Sequence, residues 1–288
     1  MDTILVNGKV YTVDNKRSIK EAIAIKNGII ADIGTNEEIL SLKNDNTEII
    51  DLKGKLILPG FNDSHMHLVN LGYTLSKVSL YGVSSLDQIG KRIYEYIEEN
   101  KLKKGTWIMG NGWNQDYFQD EKRFPTRYDL DKISTEYPIV ITRICGHVIV
   151  ANSLALKLLN ITKDTPQVEG GYIDVDEYGE PLGIFREKAI YIVFNSLPSP
   201  SNEEIKRMIK KAVKELNKQG ITSVGTDDFG ALPNRDYKQI LKAYFELKDN
   251  KELNVRVNEQ CLLGTKDEFT SFLEEGYNTS WGDENFRI

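Results

Sequence analysis

The stretch LPGFNDSHMHL, residues 58–68, holds two of the three histidines in this chain of 288 residues. They are His65 and His67, and one residue separates them. In a β-strand, residues i and i+2 project from the same face, so both imidazoles are expected to point to one side. Two imidazoles on one side of a strand can bind the same divalent metal ion.

The residues before the histidine pair indicate where in a fold the pair lies. Leu56, Ile57 and Leu58 form an apolar run that is typical of a buried parallel strand, and the Pro-Gly at 59–60 bends the chain near its end. Side chains at the C-terminal ends of such strands form the active sites of β/α barrels. A short His-X-His is often exposed and inert, but this position favours a metal site over chance.

The composition is that of a soluble globular protein, with 40% hydrophobic and 28% charged residues. A net charge of −6 without a basic block predicts no nucleic-acid partner. The longest apolar runs are too short to cross a membrane, and the start of the chain does not resemble a signal peptide. Cys145 and Cys261 show neither metal nor redox spacing, which predicts reduced thiols in a cytoplasmic protein.

Residues 1–55 read as short strands separated by turns. Asn-Gly pairs at 7–8 and 27–28 each follow a β-rich run and precede another. Both residues tolerate positive φ, so each pair predicts a β-hairpin. Two hairpins in so short a segment predict a small antiparallel sheet.

From residue 56 the pattern changes to alternating strands and helices. Capping boxes begin three helices, at Ser85, Ser201 and Thr265. The helix after Ser201 carries an apolar stripe at helical spacing and ends at Gly220. Strands that alternate with helices of this length predict βαβ units in a parallel sheet or barrel.

Four segments together resemble one family. LPGFNDSHMH, after the leader segment IIDLKGKLILPG, resembles the first-strand metal motif of the amidohydrolase superfamily. The segments GNGWNQDYFQDEKRFPTRYDLD, PIVITRICGHVIVANSLALKLLNI and EGGYIDVDEYGEPLGIFREKA resemble the amidohydrolase 3 group, whose members are YtcJ-like metal-dependent hydrolases. The resemblance runs in order along essentially the whole chain.

The resemblance implies an α/β fold with two parts. Residues 1–55 would be the N-terminal part of a β-sandwich domain. Residues 56–288 would be the N-terminal half of a (β/α) TIM-type barrel, with an α/β insertion at about 80–185.

The resemblance also implies a metal centre. His65 and His67 would bind a divalent metal, with zinc expected and one or two ions bound. Glu187 lies in GIFREKA, residues 183–189, which fits a G-x-x-x-E-x-A pattern where the group places a bridging glutamate. The alternative for Glu187 is an exposed residue at the start of a helix.

Three residues are candidates for substrate contact, each with a plainer alternative. His147 matches a family histidine that faces the substrate, but a lone histidine beside apolar residues is more often a hydrogen-bonded core group. Trp113 follows a predicted strand and either lines the pocket or packs under a loop. Asp227, with Asp228 beside it, ends the predicted strand ITSVGTD at the face of the site, where it would contact substrate, water or metal; acidic residues are also common at turns between strand and helix.

The implied activity is hydrolysis of a C–N bond in a small non-peptide amide, of the N-substituted formamide type, by a metal-activated water. Family members continue for about as long again, so we expect this chain to be an N-terminal half. The later histidine ligands and the catalytic aspartate would then lie beyond residue 288, and the chain alone would show little hydrolysis. The alternative is a non-catalytic fragment or binding module with a partial metal site. An incomplete barrel also predicts self-association through open strand edges.

Overall fold

A computed structural model describes residues 1–119, 121–232, 236–279 and 281–288. Within these ranges the chain forms strands and helices. The strands are β1 Thr3–Val6, β2 Lys9–Tyr11, β3 Ile19–Lys20, β4 Ala22–Lys26, β5 Ile29–Gly34, β6 Glu48–Asp51, β7 Leu56–Ile57, β8 Phe61–Met66, β9 Val78–Ser79, β10 Ile108–Trp113, β11 Ile139–Arg143, β12 Val148–Ala151, β13 Gly171–Val175, β14 Pro181–Glu187, β15 Ile221–Thr226, β16 Arg256–Glu259 and β17 Phe286–Arg287. The helices are α1 Asn36–Leu40, α2 Leu68–Leu75, α3 Leu86–Asn100, α4 Arg127–Ile133, α5 Ser153–Leu158, α6 Ile190–Phe194, α7 Asn202–Lys218, α8 Tyr237–Asp249 and α9 Lys266–Glu274.

The described residues fall into two compact units. The first contains Met1–Asp63 and Gly220–Ser223, and the second contains Ser64–Gln219 and Val224–Ile288. The first unit holds a four-stranded sheet in the order β5-β4-β1-β6 and a three-stranded sheet in the order β3-β2-β7.

The hairpin predicted at Asn27-Gly28 is confirmed. Strands β4 and β5 pair antiparallel, with Lys26 opposite Ile29. Asn27 has φ 53° and Gly28 has φ 72°, so both turn residues are left-handed. A two-residue hairpin turn of type I′ requires this conformation.

The hairpin predicted at Asn7-Gly8 is wrong. Strand β1 pairs with β4 and β6, whereas β2 pairs with β3 and β7, so the two strands belong to different sheets. Asn7 has φ 55°, but Gly8 is not left-handed, and the turn therefore lacks one of the two positive φ values. The chain passes from one sheet to the other at this point.

The parallel strand predicted at residues 56–58 is confirmed at residues 56–57, but its predicted burial is wrong. Leu56 and Ile57 form the short strand β7, which pairs parallel with β2, and Leu56 and Leu58 are exposed. The histidine pair lies on and just after a separate strand, β8, which starts beyond the Pro-Gly. The proline and glycine thus separate two strands and do not bend one.

In the second unit, a six-stranded sheet has the order β13-β14-β12-β11-β10-β9. Strands β9, β10 and β11 run parallel, and β12, β14 and β13 complete the sheet in antiparallel pairs. Both faces are buried, because neighbouring residues such as Val140 and Ile141 belong to two separate hydrophobic clusters. Helix α3 covers one face with Ile89, Ile93 and Ile97.

A second sheet has the order β17-β16-β15-β8, and helices α7, α8 and α9 come directly before β15, β16 and β17 along the chain. The capping boxes predicted at Ser201 and Thr265 are confirmed, as is the end of α7 at a left-handed Gly220. The whole predicted stripe of α7 is buried: Ile205, Met208, Ile209, Ala212, Val213 and Leu216.

The mixed α/β class is confirmed by this alternation. The sheets of the described residues each have two edge strands, so the partial (β/α) barrel stays a prediction. Within the same residues, no helix combines the length and apolar character that crossing a membrane requires.

Candidate metal centre

The paired histidines lie where strand β8 gives way to helix α2. His65 is in β8, and His67 is the residue immediately before α2. Their ring centroids are 5.3 Å apart and the ring planes meet at 77°. Both side chains are exposed, so the two rings are neighbours that a metal ion from solvent can reach.

Backbone contact fixes the tautomer of His67. Its Nδ1 lies 3.0 Å from the backbone oxygen of Asp227. A carbonyl oxygen only accepts hydrogen bonds, so in the neutral ring Nδ1 carries the proton and Nε2 has the lone pair. Metal-binding histidines are commonly oriented in this way, by donating the other ring N–H to a carbonyl. His67 therefore fits the role of a metal ligand through Nε2.

A glycine lets strand β15 lie close to the chain just before His65. A Cβ atom added to Gly225 would lie 2.5 Å from the backbone oxygen of Ser64. Real Cβ atoms do not come this close, so a larger residue at position 225 would displace Ser64 and, with it, His65.

Side chains at the end of β15 hold the start of α2. His67 provides no side-chain cap, and the first helical N–H groups find acceptors elsewhere. The N–H of Leu68 donates to Thr226 Oγ1 at 2.9 Å, and the N–H of Val69 donates to Asp228 Oδ1 at 2.9 Å. These bonds satisfy donors that a helix start otherwise leaves unpaired, and they fix the backbone next to His67.

Asp228 is fully buried and is the centre of a polar network. Its Oδ2 accepts hydrogen bonds from Thr226 Oγ1 at 2.9 Å and from the hydroxyl of Tyr244 at 2.5 Å. Burial raises the pKa of Asp228, and the hydrogen bonds from Tyr244, Val69 and Thr226 oppose that rise. Burial, followed by the nearby Asp228, raises the pKa of Tyr244 well above its usual value, so its hydroxyl stays protonated and donates.

Glu259 completes the network from strand β16. Its Oε1 accepts the N–H of Asp228 at 2.8 Å, whereas its Oε2 is buried and has no hydrogen-bond partner among the described residues. Burial and the charge of Asp228 raise the pKa of Glu259 well above its usual value. The carboxyl group of Asp228 accepts hydrogen bonds from Val69, Thr226 and Tyr244, and these bonds stabilise its ionised form. The contacts therefore favour an ionised Asp228 beside a protonated Glu259.

A cavity of about 400 Å³ adjoins His67. Its lining includes His67 and Asp227, which the sequence assigned to metal and substrate, together with the apolar side chains of Phe229 and Leu262. A volume of this size is within the range of small-molecule sites. Sequence analysis did not identify Tyr244 or Glu259, and no local pattern points to them.

His147 immediately precedes strand β12 and Glu187 ends the neighbouring strand β14, so the two residues lie together. His147 Nδ1 is 3.0 Å from Glu187 Oε2, and the N–H of Glu187 donates to the backbone oxygen of His147 at 2.9 Å. Their side chains are 64% and 62% exposed. Glu187 is at the end of β14 with φ 50°, a left-handed conformation that costs energy in a residue other than glycine.

Four of the predicted site residues lie in two pairs. His65 neighbours His67, and Glu187 contacts His147. Across residues 1–119, 121–232, 236–279 and 281–288, no three His, Cys, Asp or Glu side chains form a group that could hold a metal ion. Glu187 as a third ligand therefore stays a prediction.

Trp113 ends strand β10 and is completely buried. Its ring packs edge-to-face on Phe124, with centroids 5.7 Å apart, inside the cluster that also contains Ile108 and Ile141. Trp113 therefore packs against other side chains, which was the alternative to lining the pocket. Contact between Trp113 and substrate stays a prediction.

Comparison with known proteins specifies the family to which this α/β chain belongs. The model of the Amidohydrolase family named Amidohydro_3 matches residues 48–288. The chain belongs to this family, and the resemblance to YtcJ-like amidohydrolases is confirmed.

Individual relatives agree with this assignment. A Bacillus subtilis protein that bears the name YtcJ is 32% identical over 79% of this chain and 43% of its own length. An N-substituted formamide deformylase of Arthrobacter pascens is 32% identical over 78% of this chain and 42% of its own. A metal-dependent hydrolase of Pyrococcus furiosus has a similar structure, with a TM-score of 0.73, 29% identity, and coverage of 99% of this chain and 55% of that one. The chain thus spans about half the length of these relatives.

Proposed function

We propose that the protein hydrolyses a C–N bond in a small non-peptide amide of the N-substituted formamide type, with a divalent metal, zinc in the first instance, at His65 and His67. One observation carries the proposal: the two rings are 5.3 Å apart, and the Asp227 carbonyl leaves Nε2 of His67 available as a ligand. Membership of the family and the likeness to a formamide deformylase support the choice of bond.

A divalent ion supplies a Lewis acid for the carbonyl oxygen and a water nucleophile at neutral pH. The residues of the chain orient the reactants. His67 keeps its ring fixed through Nδ1, and the cavity beside it offers the apolar side chains of Phe229 and Leu262 for the body of an amide. Asp227 and Asn70 line the same cavity and provide polar contacts for the amide group. In the reaction, the water oxygen bonds to the carbonyl carbon, the C–N bond breaks, and the amine leaves with a proton.

His147 and Glu187 enter this proposal on resemblance. Glu187 is the proposed third ligand, although its carboxylate contacts His147 in this structure. A carboxylate that bonds to a ring N–H can also orient that ring, so the pair fits equally a role for His147 in contact with substrate.

A second function, a metal-binding module without turnover, is favoured by one observation. The described residues bring together two candidate ligands and not three. Catalytic zinc sites commonly have three protein ligands and an open position.

A hydrolysis assay separates the two functions. The chain is loaded with zinc, manganese, iron or nickel, and formate released from N-butylformamide is measured against the His65→Ala, His67→Ala double variant. The proposal expects release that needs metal, stops with chelator and is absent in the double variant. Bound metal without release above the double variant would contradict hydrolysis by this chain and support the binding module.

A further inference from the structure

A second cavity lies at the other end of helix α2 from His67. It has a volume of about 330 Å³ and is bordered by the end of α2, by α3, by α7 and by the segment 197–201. It shares one lining residue, Ala231, with the cavity beside His67. The two cavities are therefore separate candidate sites.

Positive charge dominates the lining of this second cavity. The lining contains three cationic side chains and one carboxylate. The cations are those of Lys77, Arg207 and Lys211, and the carboxylate is that of Glu204. Glu204 is already engaged, because its Oε2 accepts hydrogen bonds from the N–H and hydroxyl of Ser201. Lys77 and Lys211 form no ion pair with any residue that the structure describes, although this protein has a net charge of −6.

Both lysines lie against aromatic rings. Lys77 Nζ is 4.2 Å from the ring centroid of Tyr73, and Lys211 Nζ is 5.3 Å from that of Tyr96. Burial lowers the pKa of Lys77, and burial followed by the charge of Arg207 lowers the pKa of Lys211. A cation–π contact replaces only part of the hydration that an ammonium group loses, so both cations would gain from an anion nearby.

The rest of the lining combines apolar side chains with the polar residues Ser76, Asn100, Thr106, Ser199 and Ser201. Trp107, Met109 and Met208 contribute apolar surface, and the Tyr96 hydroxyl donates to the backbone oxygen of Ser76 at 2.6 Å. Glu95 and Glu99 do not line this cavity; they line a neighbouring cleft, which Lys77 and Lys211 also border. Apolar walls with a few convergent charged groups are typical of sites for small organic molecules.

We propose that this cavity binds a small organic anion with an aromatic or alkyl body, its acid group between Lys77 and Lys211 and its body on Trp107 and Met208. The proposal goes beyond the proposed hydrolase and does not depend on metal at His65 and His67.

The test is calorimetric titration of the chain with 2-naphthoate and with its neutral analogue 2-naphthol. We expect naphthoate to bind at one site and naphthol to bind at least about tenfold more weakly, since tenfold corresponds to about 1.4 kcal/mol. Lys77→Met and Lys211→Met, which keep the apolar stem, should each weaken naphthoate by about tenfold, as loss of a charge-assisted contact does. The matched control is Lys214→Met, an exposed lysine on the same helix as Lys211, which should leave binding unchanged.

Two further measurements keep the outcome decisive if one variant is poorly folded. Raising salt from about 0.1 M to about 1 M should weaken naphthoate but not naphthol, because the Debye length falls from about 10 Å to about 3 Å. The His65→Ala, His67→Ala variant should bind naphthoate as the parent does. Absence of naphthoate binding, equal binding of naphthol, indifference to both lysine changes, or loss of binding in the double histidine variant would each overturn the proposal.

Discussion

The two histidine regions of this chain differ in what holds them. Beside His67, the start of α2 is fixed by a network of Thr226, Asp228, Tyr244 and Glu259 that is shielded from water. Beside His147, the side-chain contact to Glu187 is exposed on both sides. Hydrogen bonds in a dry site are strong and costly to disturb, whereas exposed ion pairs contribute little. The fold therefore presets the geometry at His67 and leaves that at His147 adjustable.

Removal of Asp228 should have the largest effect. Asp228→Ala leaves the N–H of Val69 and the hydroxyls of Thr226 and Tyr244 without their acceptor, which should cost about 3 kcal/mol of unfolding free energy. Urea unfolding measures the loss. Asp249→Ala, at an exposed position at the end of α8, is the control and should change stability by less than about 0.5 kcal/mol. Equal losses in the two variants would contradict the importance of the network.

Glu259 should make the stability of the same region depend on pH. Its pKa is raised above the usual 4.5 in the folded chain, so the folded state keeps a proton that the unfolded chain releases. The contribution of Glu259 to stability is therefore fully present below about pH 4.5 and is lost as pH rises through its folded pKa. Glu259→Gln cannot ionise, so its stability relative to the parent should increase with pH in urea titrations. A difference that stays constant across the pH range would show that Glu259 is not protonated in the folded state.

The two cysteines report on the two regions. Cys261 lies two residues after Glu259, and burial, followed by the nearby carboxyl groups of Glu259 and Asp227, raises its pKa to about 12. Cys145 precedes His147; burial opposes ionisation there, but the N–H of His147 and the charge of Arg143 lower its pKa. Cys145 should therefore react with a disulfide reagent at pH 8 at least about a hundredfold faster than Cys261. Cys145→Ser and Cys261→Ser assign the two rates, and comparable rates in the folded chain would refute the contrast.

The smallest effect is expected at Glu187. Both Glu187→Gly and Glu187→Ala remove the contact to His147, but glycine also relieves the left-handed conformation at φ 50°. The glycine variant should be more stable than the alanine variant by about 1 kcal/mol. Thermal unfolding of the two variants measures the energy of the left-handed backbone conformation at residue 187. If the alanine variant is as stable as the glycine variant, the turn relaxes and the left-handed conformation costs nothing.

Sequence analysis identified the features that depend on residues close together in the sequence. The stripe of α7, the capping box at Ser201 and the hairpin at Asn27-Gly28 follow from local spacing and turn chemistry. The histidine pair was found because two rare residues recur at strand spacing, although the strand that carries it was placed wrongly.

The remaining features depend on contacts between distant residues. Asn7-Gly8 resembles a hairpin turn, but β1 and β2 find partners in different sheets, which no local pattern encodes. Asp228 and Asp227 are adjacent acids in the sequence. Only the fold shows that Asp228 is buried against Val69 and Tyr244 while Asp227 offers its carbonyl to His67.

The central claim is that His65 and His67 are the metal-binding core of this chain. Its most direct test is the metal content of the purified chain, compared with the His65→Ala, His67→Ala double variant and with His147→Ala as a control that also removes a histidine. The account predicts stoichiometric metal in the parent and in His147→Ala and none in the double variant. Metal retained by the double variant, or no metal in the parent at saturating zinc, would contradict it.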